Sequence, residues 1–205
     1  ITVKNFYNSS YLKSLNYIKY FDQFENKVFL DIGNNQTTLV VYKKEKIFFI
    51  NSIPIGGANI TKDISKILNL DIEKSERMKK NLKQSNTVLE NYNSRDLLIK
   101  VIHARVEEII DLSFKSLKNF EIFKNKNSIL VFTGEGSRIL SKNSIYLAEE
   151  YNFFNEMKFF EETSDTICSS GYAHLTNENS VEAIMTEKKP EKLGFFERLF
   201  YRLAR

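Results

Sequence analysis

The chain has 205 residues, of which 42% are hydrophobic and 27% are charged. This composition is typical of a folded globular protein and excludes an intrinsically disordered chain. No apolar run approaches the ~20 residues that a transmembrane helix needs, so we expect no membrane span. A single cysteine, Cys168, excludes an internal disulfide and a multi-cysteine metal site, which fits a reducing compartment.

The positive charge is concentrated at the C-terminal end. The net charge is +4, and residues 188–205 contain six Lys or Arg and two Glu. Since the whole chain has 30 basic and 26 acidic residues, residues 1–187 hold 24 of each and are neutral. This distribution argues against nucleic-acid binding, which usually spreads basic residues over a folded face. The start at Ile1 has no signal-peptide pattern and suggests a chain that begins within a larger protein.

Apolar periodicity predicts strands that alternate with helices, and therefore an α/β fold. The predicted strands are residues 28–32 and 37–41, which form a hairpin, followed by 46–53 and 128–133. The predicted helices are 7–21, a segment with Thr61 as its N-cap, 73–82, 95–118 with Ser94 as its N-cap, and 164–173. The polar segment 84–93 is expected to be a loop or weak strand, 149–160 an irregular segment, and 176–191 a flexible linker.

Three glycine-containing turns follow predicted strands. Asp31-Ile-Gly-Asn-Asn-Gln-Thr37 can surround phosphate oxygens with backbone N–H groups, and its Asp can reach a water on Mg²⁺. Pro54-Ile-Gly-Gly-Ala-Asn-Ile-Thr61 opens a helix whose N-terminus favours anions. Val131-Phe-Thr-Gly-Glu-Gly-Ser-Arg138 lets a planar or anionic ligand approach the backbone closely. Taken singly, the first two also fit an ordinary β-turn and an ordinary strand–helix junction.

The order and spacing of these turns, with Glu76-Arg-Met-Lys79, resemble the nucleotide-binding half of the actin and heat-shock chaperone ATPase superfamily. Within it, Ile53-Pro-Ile-Gly-Gly-Ala-Asn-Ile-Thr-Lys-Asp-Ile64 and Ile102-His-Ala-Arg-Val-Glu-Glu108 resemble segments of the bacterial cell-division family FtsA. Asp165 through Gly171 resembles the small-residue helix that closes the last subdomain. The resemblance implies an actin-like (ribonuclease H-like) ATPase-fold half, with a 2B insertion and a C-terminal amphipathic helix.

The same resemblance implies a division of the chain. Residues 1–62 and 130–175 would form the two parts of subdomain 2A, and 63–129 would form subdomain 2B. A flexible linker, 176–191, would lead to the membrane-targeting helix, 192–205. The first half of the FtsA architecture, which supplies the other wall of the nucleotide cleft, would precede these residues.

By this resemblance, ATP with Mg²⁺ would contact a degenerate nucleotide site formed by Asp31, Gly33, Asn34, Asn35, Gln36, Thr37, Gly56, Gly57, Glu76, Lys79, Gly134, Gly136, Ser137 and Arg138. Asn34 and Asn35 replace glycines of the phosphate hairpin, and their Cβ atoms obstruct close approach of a phosphate. Glu135 replaces the middle glycine of the adenosine turn. We therefore expect weak or absent nucleotide binding, no hydrolysis, no catalytic residue and no resident metal.

Residues 193–205 segregate on a helical wheel into an apolar half and a basic half, which is typical of a helix lying in the plane of a membrane. The membrane-binding residues expected are Leu193, Phe195, Phe196, Arg198, Leu199, Phe200, Arg202, Leu203 and Arg205. The alternative is a terminal helix that docks on its own domain.

The FtsA resemblance also implies partners. These are the C-terminal peptide of FtsZ, an anionic membrane surface, further copies of the chain in a protofilament, and other divisome proteins, at the cytoplasmic face of the bacterial inner membrane. Arg95, Lys100 and Arg105 are near the expected peptide site, although a solvated helix face explains them equally well. The alternative functions are an active ATPase similar to the heat-shock chaperones and a PilM-like pilus assembly protein.

Overall fold

The computed structural model describes residues 7–81, 92–115, 117, 127–143 and 154–160. Their centre is a five-stranded sheet with strand order β3-β2-β1-β4-β5. The strands are β1 (Asn26–Ile32), β2 (Thr37–Lys43), β3 (Lys46–Ile53), β4 (Ser128–Thr133) and β5 (Glu156–Phe159). β1, β2 and β3 are antiparallel neighbours, whereas β4 lies parallel to β1 and to β5. The predicted α/β class and the predicted hairpin are therefore confirmed.

Helices lie on both faces of the sheet, and none of those described is long and apolar enough to cross a membrane. They are α1 (Ser9–Tyr17), which continues into a 3₁₀ turn (Ile18–Phe21), α2 (Gly57–Leu68), α3 (Ile72–Lys80), α4 (Tyr92–Lys115), and a 3₁₀ turn (Glu135–Ser137) that leads into α5 (Arg138–Asn143).

Strand alternation sorts the side chains of β1 between the two faces. Val28, Leu30 and Ile32 pack in one core cluster with apolar residues of α2 and α4. Phe29, on the opposite face, packs with Tyr17 and other aromatic residues near α1. Because successive side chains of a strand point to opposite faces, Asp31 is directed to the same face as Phe29, which is the face covered by α1.

Three predicted elements need correction. α2 begins at Gly57 with Gly56 as its N-cap, and Thr61 lies inside the helix, with its hydroxyl oxygen 3.2 Å from the Gly57 carbonyl oxygen. The long helix begins at Tyr92, so Ser94 is within it and is not its cap. Part of the segment predicted as irregular forms β5, because Phe159 continues the sheet beside Phe132 and stacks on its ring at 4.9 Å.

The remaining predicted elements were confirmed or lie outside the described residues. The charged helix is α3, which begins after Asp71, whose side chain accepts a hydrogen bond from Lys74 N. Of the segment 84–93, predicted as a loop or weak strand, residues 84–91 lie outside the described residues and 92–93 belong to α4. The helix predicted over 164–173, the linker 176–191 and the C-terminal helix also lie outside the described residues. The subdomain boundaries stay predictions.

Candidate functional site

The predicted phosphate hairpin and the Gly56-Gly57 helix start meet at one end of the sheet. The hairpin closes on itself through Gly33 N–H, which donates to Gln36 O at 2.9 Å. Gly57 N–H donates to Gly33 O at 2.9 Å, and Ala58 N–H donates to Asn34 O at 2.8 Å. The start of α2 is thus held directly against the turn between β1 and β2.

Two glycines at this junction are required by packing. A Cβ on Gly56 would lie 2.6 Å from Gly33 O, and a Cβ on Gly136 would lie 2.7 Å from Ile32 O. Both distances are far below normal contact, and the atoms approached belong to backbone that cannot swing away. The glycines therefore let three backbone segments pack together, whether or not a ligand binds.

The N–H groups at the start of α2 donate hydrogen bonds to oxygen atoms of the protein. Besides the bonds of Gly57 and Ala58 to the hairpin, Gly56 N–H donates to Asn59 Oδ1 at 3.1 Å, and Asn59 N–H donates to Gly56 O at 3.0 Å. A helix N-terminus attracts anions when its first N–H groups lack protein acceptors. At this helix, an anion would have to displace a protein oxygen.

The Glu76-x-x-Lys79 element lies beneath the same helix start. Lys79 is buried, and its ammonium donates to Gly57 O at 2.9 Å and to Thr61 Oγ1 at 2.7 Å. It also forms an ion pair with Glu76 Oε2 at 2.6 Å, while the Thr61 hydroxyl donates to the same carboxylate oxygen. These contacts join α3 to the first turn of α2.

The electrostatics of Glu76 reflect this arrangement. Burial by itself would raise its pKa, but hydrogen bonds from Lys79 and Thr61, with the charges of Lys79 and Lys80, lower the pKa of Glu76 below its ordinary value. The carboxylate is therefore held in its ionised form as the acceptor for the buried ammonium.

The third turn, 134–138, begins at a glycine in a backbone conformation that other residues rarely adopt. Gly134 has a φ of +84°, and its carbonyl accepts a hydrogen bond from the buried Ser137 hydroxyl at 2.7 Å. The side chain of Glu135 is 80% exposed and lies 4.0 Å from Arg138, so it points into solvent. The bulk that the sequence places at this glycine position is thus directed away from the packed backbone.

The tip of the hairpin is the accessible part of the site. Asn34, Asn35 and Gln36 are exposed, and Asn34 Nδ2 donates to Asn35 Oδ1 at 3.2 Å. Thr37 is buried, and its hydroxyl donates to Ile55 O at 2.7 Å, which connects the hairpin to the loop before α2. The asparagine side chains that replace glycines therefore stand at the exposed end of the turn.

Asp31 contacts two residues that the sequence analysis did not assign to the site. The Ser10 hydroxyl donates to Asp31 Oδ2 at 2.5 Å, and the Lys13 ammonium lies 3.1 Å from Oδ2 and 3.3 Å from Oδ1. Both donors belong to α1. The sequence feature that could have indicated this contact is charge, because Lys13 is the one charged residue in the nine-residue sequence of α1.

The three residues predicted to bind a partner peptide lie on α4 and are not equivalent. Arg105 bonds Asp63 and Glu108, each at 2.5 Å, and is 25% exposed. Lys100 is 73% exposed and pairs with Asp96 at 3.1 Å. Arg95 Nε is buried and has no hydrogen-bond partner in the described part of the chain. A partner carboxylate would compete with protein carboxylates at two of the three. The predicted membrane-binding residues, 193–205, lie outside the described residues.

Comparison with solved structures supports the fold. The chain is similar to a ParM filament from Clostridium botulinum, with a TM-score of 0.58 and 16% identity, covering 84% of this chain and 53% of that one. It is also similar to MreB5 of Spiroplasma citri bound to ADP, with a TM-score of 0.57 and 16% identity, covering 82% and 58% of the two chains. EutJ from Carboxydothermus hydrogenoformans matches with a TM-score of 0.54 and 14% identity over 75% of this chain and 49% of that one. The predicted actin-like fold half is confirmed.

Sequence comparison identifies the family. The chain is 31% identical to the cell division protein FtsA of Bacillus subtilis (strain 168) over 109 residues, which cover 45% of this chain. The match spans only 25% of that relative's length. The family model described as cell division protein FtsA matches residues 28–177, more than half of the chain. This chain, which carries an actin-like fold half, therefore belongs to the FtsA family of cell-division proteins.

Proposed function

We propose that this chain is a self-assembling, actin-like division protein that tethers FtsZ filaments to the cytoplasmic face of the bacterial inner membrane through its C-terminal helix. Family membership supports a role in cell division. The observation that carries the membrane role is the charge distribution, with the whole net charge of +4 in residues 188–205. Arginines opposite phenylalanines in that segment suit an in-plane helix on anionic lipid.

Vesicle sedimentation tests the membrane role. The 205-residue chain should pellet with vesicles that contain anionic lipid, and deletion of residues 192–205 should abolish pelleting. Phe196→Glu should act like the deletion because it puts a charge into the acyl region. Tyr201→Glu is the matched control, since it makes the same change from an aromatic residue to a charge on the polar half of the wheel.

The outcomes separate membrane binding from docking of the helix on its own domain. In-plane binding predicts a much larger loss for Phe196→Glu than for Tyr201→Glu, and weaker pelleting as salt screens the arginines. A deletion variant that still pellets would refute the tether, because another surface would then carry the binding.

Self-assembly and FtsZ binding complete the proposal. One structure similar in fold is a ParM filament, which makes filament formation a reasonable expectation for an actin-like half. Anisotropy with a labelled FtsZ C-terminal peptide tests the partner site, with Lys100→Ala and Arg95→Ala expected to weaken binding. A peptide that binds neither the wild type nor the variants would remove FtsZ from the proposal and leave the membrane role standing.

We also propose that this chain does not hydrolyse ATP and binds nucleotide weakly. One structure similar in fold is bound to ADP and another to AMPPNP, which supports a residual nucleotide site in the half-cleft. Against strong binding stand the exposed Asn34 and Asn35 and the internal bonds of Lys79. ATP with Mg²⁺ should barely change the melting temperature, whereas a shift of several degrees would favour the chaperone-type ATPase.

A further inference from the structure

Asp31 is the residue at which a divalent cation would be expected in this half of the cleft. It ends β1, directly before the Gly33–Gln36 turn, and its carboxylate is 8% exposed. Mg²⁺ takes oxygen ligands at about 2.1 Å in near-octahedral geometry and keeps several waters. A cation held by Asp31, directly or through one of its waters, therefore needs a carboxylate oxygen with open space in front of it.

The contacts of Asp31 do not fit such a cation. Oδ2 accepts hydrogen bonds from Ser10 at 2.5 Å and from Lys13 at 3.1 Å, while Oδ1 lies 3.3 Å from the same ammonium. Gly134 packs so closely that a Cβ on it would overlap Oδ1. Both carboxylate oxygens are thus occupied, and the charge is neutralised by a lysine whose side chain is only 9% exposed.

We propose that the Lys13 ammonium replaces a divalent cation at Asp31, so that this half-cleft works without a metal ion there. Repulsion between one positive charge and a dication about 4 Å away corresponds to about 30-fold weaker cation binding even in bulk water. This inference does not depend on the proposed membrane role.

Paramagnetic line broadening by Mn²⁺, used as the probe for a divalent cation, tests the inference on the 205-residue chain. In the wild type, the amide signals of Asp31 and Gly134 should not broaden selectively at low Mn²⁺. In Lys13→Ala they should broaden, with affinity about 30-fold higher than in the wild type. Lys13→Arg, which keeps the charge, should behave like the wild type. The double variant Lys13→Ala with Asp31→Asn should lose the response.

Lys27→Ala is the matched control. Lys27 is a buried lysine on β1, the strand that also contains Asp31, but its ammonium donates to Lys44 O at 3.2 Å, away from Asp31. It should weaken the fold without creating a Mn²⁺ response. Thermal unfolding gives an independent readout, since Mg²⁺ should recover part of the stability lost in Lys13→Ala and none of that lost in Lys27→Ala. Selective broadening near Asp31 in the wild type would overturn the inference, even if Lys13→Ala fails to fold. A folded Lys13→Ala that ignores Mn²⁺ would also overturn it.

Discussion

Replacing Gly134 by Ala tests whether the third turn is packed as tightly as the structure indicates. Gly134 has a φ of +84° and a ψ of 156°, a region that residues with a Cβ essentially avoid. A Cβ at this position would also overlap Asp31 Oδ1 and lie 2.5 Å from Ile32 O. Neither neighbour can move easily, because Ile32 O is backbone and Asp31 is bonded to Ser10 and Lys13.

The magnitude follows from two costs. Backbone strain in a sparsely populated region costs about 1–3 kcal/mol, and overpacking costs about another 1–3 kcal/mol. Gly134→Ala should therefore destabilise the chain by about 2–6 kcal/mol. For a protein of this length, each kcal/mol lowers the melting temperature by about 2–4 °C, so the fall should be at least about 4 °C.

Gly57→Ala is the control with the opposite expected sign. Its φ is not positive, and a Cβ there would meet its nearest neighbours at 3.6–3.8 Å, which is ordinary contact. Because alanine loses less chain entropy on folding, this variant should gain about 0.4–1 kcal/mol. Thermal unfolding followed by circular dichroism compares the two variants. If Gly134→Ala melts with the wild type, the close packing of the turn against Asp31 is wrong.

Other predictions concern charged pairs. Arg105→Gln should lower the free energy of unfolding in urea by about 1–2 kcal/mol, because Asp63 and Glu108 lose a partly buried partner. Lys100 is highly exposed, so Lys100→Gln should lower it by at most about 0.5 kcal/mol. Equal losses for the two variants would contradict the described burial. The lowered pKa of Glu76 means that its contribution to stability is complete above its ordinary value of 4.5 and is lost as the pH falls. The stability difference between wild type and Glu76→Gln, measured at several pH values, should therefore shrink below pH 4.5, and a constant difference would refute the assigned pairing.

Local sequence patterns predicted β1, β2 and β4 because these strands are buried along all or nearly all of their length. Leu30 and Val131 lie in segments buried along their whole length, and each segment ends at a turn that contains glycine. Parallel β1 and β4 then bring the turns after Ile32 and Thr133 to the same edge of the sheet. Once the resemblance implied the strand order, the meeting of these turns at one edge of the sheet could be predicted.

Local sequence patterns could not predict contacts between residues that are distant in the sequence. Thr61 is a better N-cap by residue type than Gly56, but α2 starts earlier because carbonyls of the β1–β2 hairpin accept its first N–H groups. The pairing of Lys13 with Asp31 joins residues 18 positions apart. Helical periodicity shows which residues of α1 face the sheet, but it does not show that a charged one is opposite an aspartate.

The polar groups of the half-cleft are largely hydrogen-bonded within the protein itself, which fits the proposed scaffold role. Lys79 has three protein acceptors, Asp31 has two donors, and the first N–H groups of α2 are bonded to protein oxygens. A ligand that used any of these groups would have to exchange one bond for another, with little net gain in free energy. The same bonds hold α1, α2 and α3 in fixed positions around the sheet. Rigid placement of helices is what an assembly surface needs, and it is compatible with a cleft that holds nucleotide weakly.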